Sequence, residues 1–270
     1  MTVFFTKQSY SQYYYRDILL PAQNMVQQQL YKKTKVTQVT LMSYEADGST
    51  SDGFECTVTP NYSYSQLKTL ANTEATGSSS LTAFYNFKGQ LYKSVDSSNE
   101  MVTTYSYAFD SSGKLVNASN SSYTPANKQK QSEMHQWLYT GNGNLEQMIY
   151  INGADTVHVK FALDENDNIA EEEQWQKNIS KGKTYYYYDS LHHLTDIVRY
   201  NEKLKRLMPD YMFEYNGNGQ LTKMITVDAR YNDYITWLYE YDEKGLRTTE
   251  RCYNKQKRLV GRITYEYTFK

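Results

Sequence analysis

A seven-residue pattern recurs along this chain and constrains the fold more than any other feature: an aromatic residue, Asp, Asn or Thr, two variable residues, Gly, a variable residue and Leu. It is plain at Tyr85 to Leu91, Phe109 to Leu115 and Tyr139 to Leu145. It returns at Leu163 to Ile169, Tyr188 to Leu194 and Tyr215 to Leu221, and in degenerate form at Tyr44 and Tyr241. Start-to-start spacing from Tyr85 to Tyr241 runs between 24 and 30 residues. A period of that length marks a stacked supersecondary unit.

Each fixed position has a physical reason. A three-residue hairpin loop combines a type I turn with a residue in the left-handed region that forms a bulge, and glycine adopts that region at least cost. Gly48, Gly89, Gly113, Gly143, Gly219 and Gly245 fill the slot. Asp167 and His192 fill it in the other two copies, and both types are enriched at positive φ. Asp or Asn at the start of such a turn bonds the backbone further on. The opening aromatic and the closing Leu then become cross-strand neighbours, a pairing worth about 0.2–1 kcal/mol over Ala pairs. Two residues upstream, strand alternation puts Tyr107, Trp137, Phe161, Tyr186, Phe213 and Tyr239 on the same face. An aromatic ladder along one face follows.

Return turns are expected midway, at Asn152-Gly153, Lys181-Gly182 and Asn232-Asp233. The chain reads as an all-β antiparallel meander of tandem hairpins, forming an extended, twisted or curled sheet. Tyr265-Glu266-Tyr267 repeats the strand entry without a following turn, as a closing edge strand would. Residues 1–40 fit less well and form a divergent N-terminal cap, with 41–270 as one continuous repeat sheet. Pro21 to Tyr31 suits a short helix, with Pro at its first turn, or equally a strand.

Composition fits a thin sheet. Tyr occurs 29 times and hydrophobic residues make up only 39%, and tyrosine packs a large ring while its hydroxyl stays wet. A net charge of −1 argues against nucleic-acid binding by phosphate neutralisation. Cys56 and Cys252 form no CxxC or Cys/His cluster, so their pairing stays open. No signal-peptide pattern stands at the start and no window suits a membrane span. The protein is cytoplasmic, or an export signal was removed and it belongs to the cell envelope.

These residues carry a likeness to a family. The Y-D-x-x-G-x-L periodicity, best at Tyr239 to Gly245 and Tyr187-Tyr188-Asp189, resembles the YD repeats of bacterial RHS and wall-associated proteins. It covers roughly Tyr85 to Lys270 and implies a scaffold, a surface location and binding, with no chemistry.

The search for chemistry finds little. Asp164 to Asn168 starts like a calcium loop, but Ile169 and Trp175 stand where Gly and a bidentate Glu are needed, so a hairpin turn is preferred and no metal is expected. Glu171 and Glu173 share one face and Glu172 the other, which reads as a solvated strand. His135, His158, His192 and His193 show no ligand spacing. No catalytic residue and no cofactor is expected. Trp137, Trp175 and Trp237 are the candidate ligand-surface aromatics, with packing of the sheet as the plainer reading. The expected function is a non-catalytic envelope scaffold presenting an aromatic-rich sheet to a protein or glycan. The alternative is a soluble accessory or immunity-type module for a toxin.

Overall fold

A computed structural model describes residues 12–74, 76–126, 128–228, 231 and 233–270. A π-helical segment, Tyr14–Leu19, runs without a break into helix α1, Leu20–Thr34, and Pro21, which has no N–H to donate, stands just past the π-helical stretch. Lys35 ends the helix in the left-handed conformation, at φ 59°. The first nine strands are β1 (Val36–Glu45), β2 (Glu55–Pro60), β3 (Gln66–Thr73), β4 (Gly77–Tyr85), β5 (Leu91–Ser98), β6 (Val102–Phe109), β7 (Leu115–Thr124), β8 (Gln129–Tyr139) and β9 (Leu145–Asn152). The second nine are β10 (Asp155–Leu163), β11 (Ile169–Gln176), β12 (Ile179–Tyr188), β13 (Leu194–Asn201), β14 (Arg206–Tyr215), β15 (Leu221–Asp228), β16 (Asp233–Tyr241), β17 (Arg247–Tyr253) and β18 (Leu259–Phe269).

Consecutive strands pair antiparallel, and β18 returns to β1, from Val36 opposite Phe269 to Glu45 opposite Gly261. The sheet is thus a closed 18-stranded barrel. This corrects the open, extended or curled sheet expected from the repeats: Tyr265 to Tyr267 lies in a strand paired on both sides, not at an edge. The partner that closes the ring, β1, precedes the clear repeats, so the repeat pattern does not mark it. Closure removes the two rows of unpaired N–H and C=O groups that an open sheet leaves, and the inherent twist of so many strands curls them towards it.

One rim carries the repeat turns. The Asp or Asn side chain accepts backbone N–H bonds two and four residues on, as Asp242 does from Lys244 and Leu246 at 2.9 and 2.8 Å. All eight slot residues have positive φ, from 63° at Asp167 and His192 to 90° at Gly113. The degenerate Tyr44 copy sits on the opposite rim, between β1 and β2. Tyr253 to Leu259 forms another such turn there, with Lys257 in the left-handed slot at φ 59°. The return turn at Asn152-Gly153 lies between β9 and β10. Lys181-Gly182 instead falls within β12, and the turn is made at Lys177 and Asn178, both at positive φ. Of Asn232-Asp233, Asn232 lies outside the described residues.

Behind each turn comes a bulge. Tyr85 opposes Leu91 but Phe84 opposes Lys93, and the same shift recurs at Phe109, Tyr139, Leu163, Tyr188, Tyr215, Tyr241 and Tyr253. An extra residue changes the phase of alternation. After Leu, therefore, the next inward side chain comes three positions on rather than two. Ala118, Met148, Glu172, Ile197 and Glu250 all occupy that position and all are buried.

Tyrosine at the repeat start links one hairpin to the hairpin before. Tyr139 donates its hydroxyl to the Leu115 carbonyl at 2.8 Å, Tyr188 to Ile169 at 2.9 Å and Tyr215 to Leu194 at 2.9 Å. Tyr241 and Tyr267 do the same to Leu221 and Arg247, both at 2.8 Å. Burial pushes the Tyr139 and Tyr215 hydroxyls up to about 12, so they stay donors at ordinary pH.

Two predictions test this wall. Gly48 has φ +89° and a Cβ there would meet nothing within 4 Å, so Gly48→Val isolates the cost of the left-handed backbone. Urea melts should show a loss of about 1–2 kcal/mol, with Gly48→Asn losing less. Tyr215→Phe keeps the ring and deletes the bond to Leu194, and should cost about 0.5–1.5 kcal/mol; a stability equal to that of the parent would reject the hydroxyl link.

Candidate functional site

The helical segment touches strands all round the ring, which places it in the lumen. Successive tyrosines point three ways: Tyr13 meets His135 and Tyr150 on β8 and β9, Tyr14 meets Phe161 and Tyr186 on β10 and β12, and Tyr15 meets Tyr211 and Phe213 on β14. Tyr31 in α1 packs on Tyr267 of β18 at 6.2 Å between centroids. The aromatic ladder faces this plug and forms the core with it.

Polar bonds fix the plug. Glu172, fully buried, accepts the backbone N–H of Tyr13 at 3.2 Å and of Tyr14 at 3.0 Å, and the Tyr186 hydroxyl at 2.9 Å. Asp17 bonds the Nδ1 of His135, and Arg16 donates to its other oxygen at 3.0 Å. Gln28 donates to the Tyr64 carbonyl at 2.6 Å, and Gln12 to Asp210 at 2.7 Å. These anchors come from β11, β8, the β2–β3 turn and β14. In the wall, buried Glu250 accepts from half-buried Arg247 at 2.6 Å, and Tyr265 donates to the same carboxylate oxygen at 2.5 Å.

Burial acts differently on the two plug carboxyls. For Glu172 desolvation outweighs four hydrogen-bond donors and pushes the pKa up to about 7. For Asp17 desolvation also favours the neutral form, but the bond to His135 and the charge of Arg16 prevail and hold its pKa below the usual value.

The solvated-strand reading of the glutamates is corrected for Glu172. The bulge after Ile169 turns it inward, opposite Phe161, while Glu171 and Glu173 line the outer wall, where Lys183 bonds Glu171 at 2.6 Å. Regular alternation across Ala170 could not reveal that; only a count of the bulge could. Asp164 accepts N–H bonds from Asn166 and Asn168 as a turn residue. Among the described residues no three His, Cys, Asp or Glu side chains are grouped to hold a metal. Cys56 and Cys252 are both free and buried.

The three candidate tryptophans part company. Trp137 is 2% exposed, stacked on Phe161 at 5.7 Å inside the barrel. Trp237 lies two residues before buried Tyr239, opposite Met224 of the core. Trp175 stands instead on the outer wall, beside His158 of β10. It lines a groove of about 580 Å³ with Gln147, Asp155, His158, Lys160 and Asn178. The Lys160 ammonium lies 5.4 Å from its ring centroid.

No protein-family model matches the sequence, and no curated protein matches it significantly. Among solved structures, a porin-like protein from Bacteroides uniformis aligns at 11% identity and TM-score 0.42, over 87% of this chain and 97% of that one. One from Bacteroides vulgatus aligns at 14% and 0.32, over 87% and 99%. The Photorhabdus luminescens Tc holotoxin pore aligns at 12% and 0.36, with 80% of this chain spanning only 12% of the toxin chain. Scores and identities this low carry over neither fold nor function. The YD-repeat resemblance rests on the turn residues.

Glu172 makes the plug sensitive to pH. Its folded pKa, about 7, exceeds the ordinary 4.5, so the native barrel keeps a proton that the unfolded chain releases. Stability from this group is full below pH 4.5 and is lost as pH rises through 7. Across that window the parent should lose on the order of 3 kcal/mol relative to Glu172→Gln. Urea melts at stepped pH measure it; parallel curves for the two proteins would mean that Glu172 does not titrate there.

Proposed function

We propose that this protein is a non-catalytic binding module of the bacterial cell envelope, a plugged barrel that recognises a protein or glycan on its outer wall. The observation that carries the reading is the division of labour between the two faces. Inside, the buried ionisable groups Asp17, His135 and Glu172 hold plug to wall and Glu250 ties β17 to β18, and the aromatic ladder is spent on packing. A general acid or base has to reach a substrate, and these groups are enclosed. Outside, paired charges alternate with the buried rows, including Lys183 with Glu171, Lys223 with Glu214 and Arg251 with Glu240.

That outer wall suits water. A membrane barrel turns an apolar band to lipid, and Lys or Arg at its midplane costs roughly 2–4 kcal/mol each. No helix among the described residues is long and apolar enough to cross a membrane, and the outer ion pairs put charge where a lipid-facing band would be apolar. The envelope placement follows from the likeness of the turns to YD repeats, and the binding role from the open groove beside Trp175.

A glycan array run beside a pulldown from an envelope fraction tests the reading. A saturable partner, bound without turnover, is the expected result. Partner capture unaffected by any outer-wall substitution, or release of reducing sugar that is abolished by Glu172→Gln, would overturn it.

A further inference from the structure

We infer that the outer groove at Trp175 is a site for a neutral saccharide, stacked by the apolar face of its ring on the indole. The inference rests on the outer-wall reading above and names the ligand class. Three observations converge. First, the groove joins one aromatic platform to side chains that both donate and accept: Gln147 and His158, hydrogen-bonded to each other at 2.8 Å, with Asp155 and Asn178 beyond them. A sugar presents both kinds of group on each hydroxyl, so such a mixed set fits it, whereas an apolar ligand would strand these groups.

Second, charge selects against an anionic ligand. Lys160 and Lys177 in the groove and Lys183 beside it are matched by Asp155, Glu171 and Glu173: Glu173 stands opposite Lys160 in register and lies 3.7 Å from Lys183, which also bonds Glu171. Lys160 rests near the Trp175 ring and Glu173 accepts from Ser180 at 2.8 Å. Balanced charge gives no net pull on a carboxylate or sulfate.

Third, Trp175 keeps its place at a cost. Its indole Nε1 is buried without a hydrogen-bond partner in the structure, and an unmade bond to a buried donor is unfavourable by about 1–3 kcal/mol. A core indole such as Trp137 recovers that cost in packing; Trp175 lies outside both core clusters. Its large ring at a groove floor therefore calls for a role beyond the core. Pyranoses with equatorial hydroxyls have the complementary surface, a face of axial C–H groups the size of an indole. The neighbouring turn, Lys177 and Asn178 at φ 51° and 61°, forms the end wall of the groove.

The test is calorimetric titration of the full chain with cellopentaose and maltopentaose, with Trp175→Ala, His158→Ala and Trp137→Phe as variants. Binding to at least one oligosaccharide is expected, weakened at least tenfold by Trp175→Ala, weakened also by His158→Ala and unchanged by Trp137→Phe. Circular dichroism of each variant checks the barrel, and the indole fluorescence of His158→Ala gives a second readout should Trp175→Ala fail to fold. No binding to either oligosaccharide at millimolar concentration, or binding that both groove variants leave intact, overturns the inference. If a protein partner is captured through the outer wall while both oligosaccharides stay unbound, the binding module stands and its saccharide ligand does not.

Discussion

Everything inside this protein depends on the pairing of β18 with β1. Until those strands meet, the repeat sheet has one aromatic face and no core. Once they meet, the same face becomes a lumen that water or protein must fill. The chain fills it with the segment immediately before β1, so the plug and the closing strand are covalently adjacent. Lys35, in the left-handed conformation, is the hinge between them, and the final residue, Lys270, donates its backbone N–H to the Lys35 carbonyl at 3.0 Å. The two ends of the barrel are thus tied at the point where the plug enters.

The plug is held by polar contacts as much as by rings, which is an expensive way to fill a core. Burying a carboxylate costs several kcal/mol and is recovered only by good geometry. Glu172 has that geometry, because the consecutive N–H groups of Tyr13 and Tyr14 both point at it. Asp17 with His135 adds a second point, fixed to a different strand. Aromatic packing alone would tolerate rotation of the helix; two buried carboxyls on β11 and in the plug itself set one register. Specificity of docking is thus a reason for placing charge there, and the raised pKa of Glu172 is its cost.

Much of this was legible in the chain. The turns could be read because φ > 0 restricts residue type, so Gly113, Asp167 and His192 announced one backbone state in three ways. The inward ladder could be read because alternation upstream of each turn is regular. Closure could not, since β1 shares no motif with β18 and their pairing spans almost the whole sequence. The turn at Tyr253 was hidden because Lys257 occupies the slot with no preference for it. The division of Glu172 from Glu171 and Glu173 can be read from alternation, but not that Glu172 is the buried one, because the bulge after Ile169 shifts every later residue by one. Of the candidate site, composition alone sets Trp175 beside Trp137 and Trp237, which face inward; those two lie upstream of their turns, where alternation is regular, and Trp175 lies downstream of a bulge.

The two rims have unequal freedom. On the repeat rim, loop length is fixed by the Asx bonds and the bulge, and the loops also meet the helix: Gln28 bonds the Tyr64 carbonyl there, and the side chain of Gln29 crowds Gly89. A longer or bulkier loop on that side would dislodge the plug. Among the described residues, the loops of the opposite rim make no such bond to the helix. Its returns range from the two residues between β9 and β10 to the long connection between β1 and β2, and the groove at Trp175 opens beside two of the shortest. Tight returns leave the strand ends bare, so that side chains on β9, β10 and β11 form most of the surface, closed at its ends by Ala154 and by the Lys177-Asn178 turn. A recognition site built on strands is held more rigidly than one built on loops, and this rim is where the fold permits one.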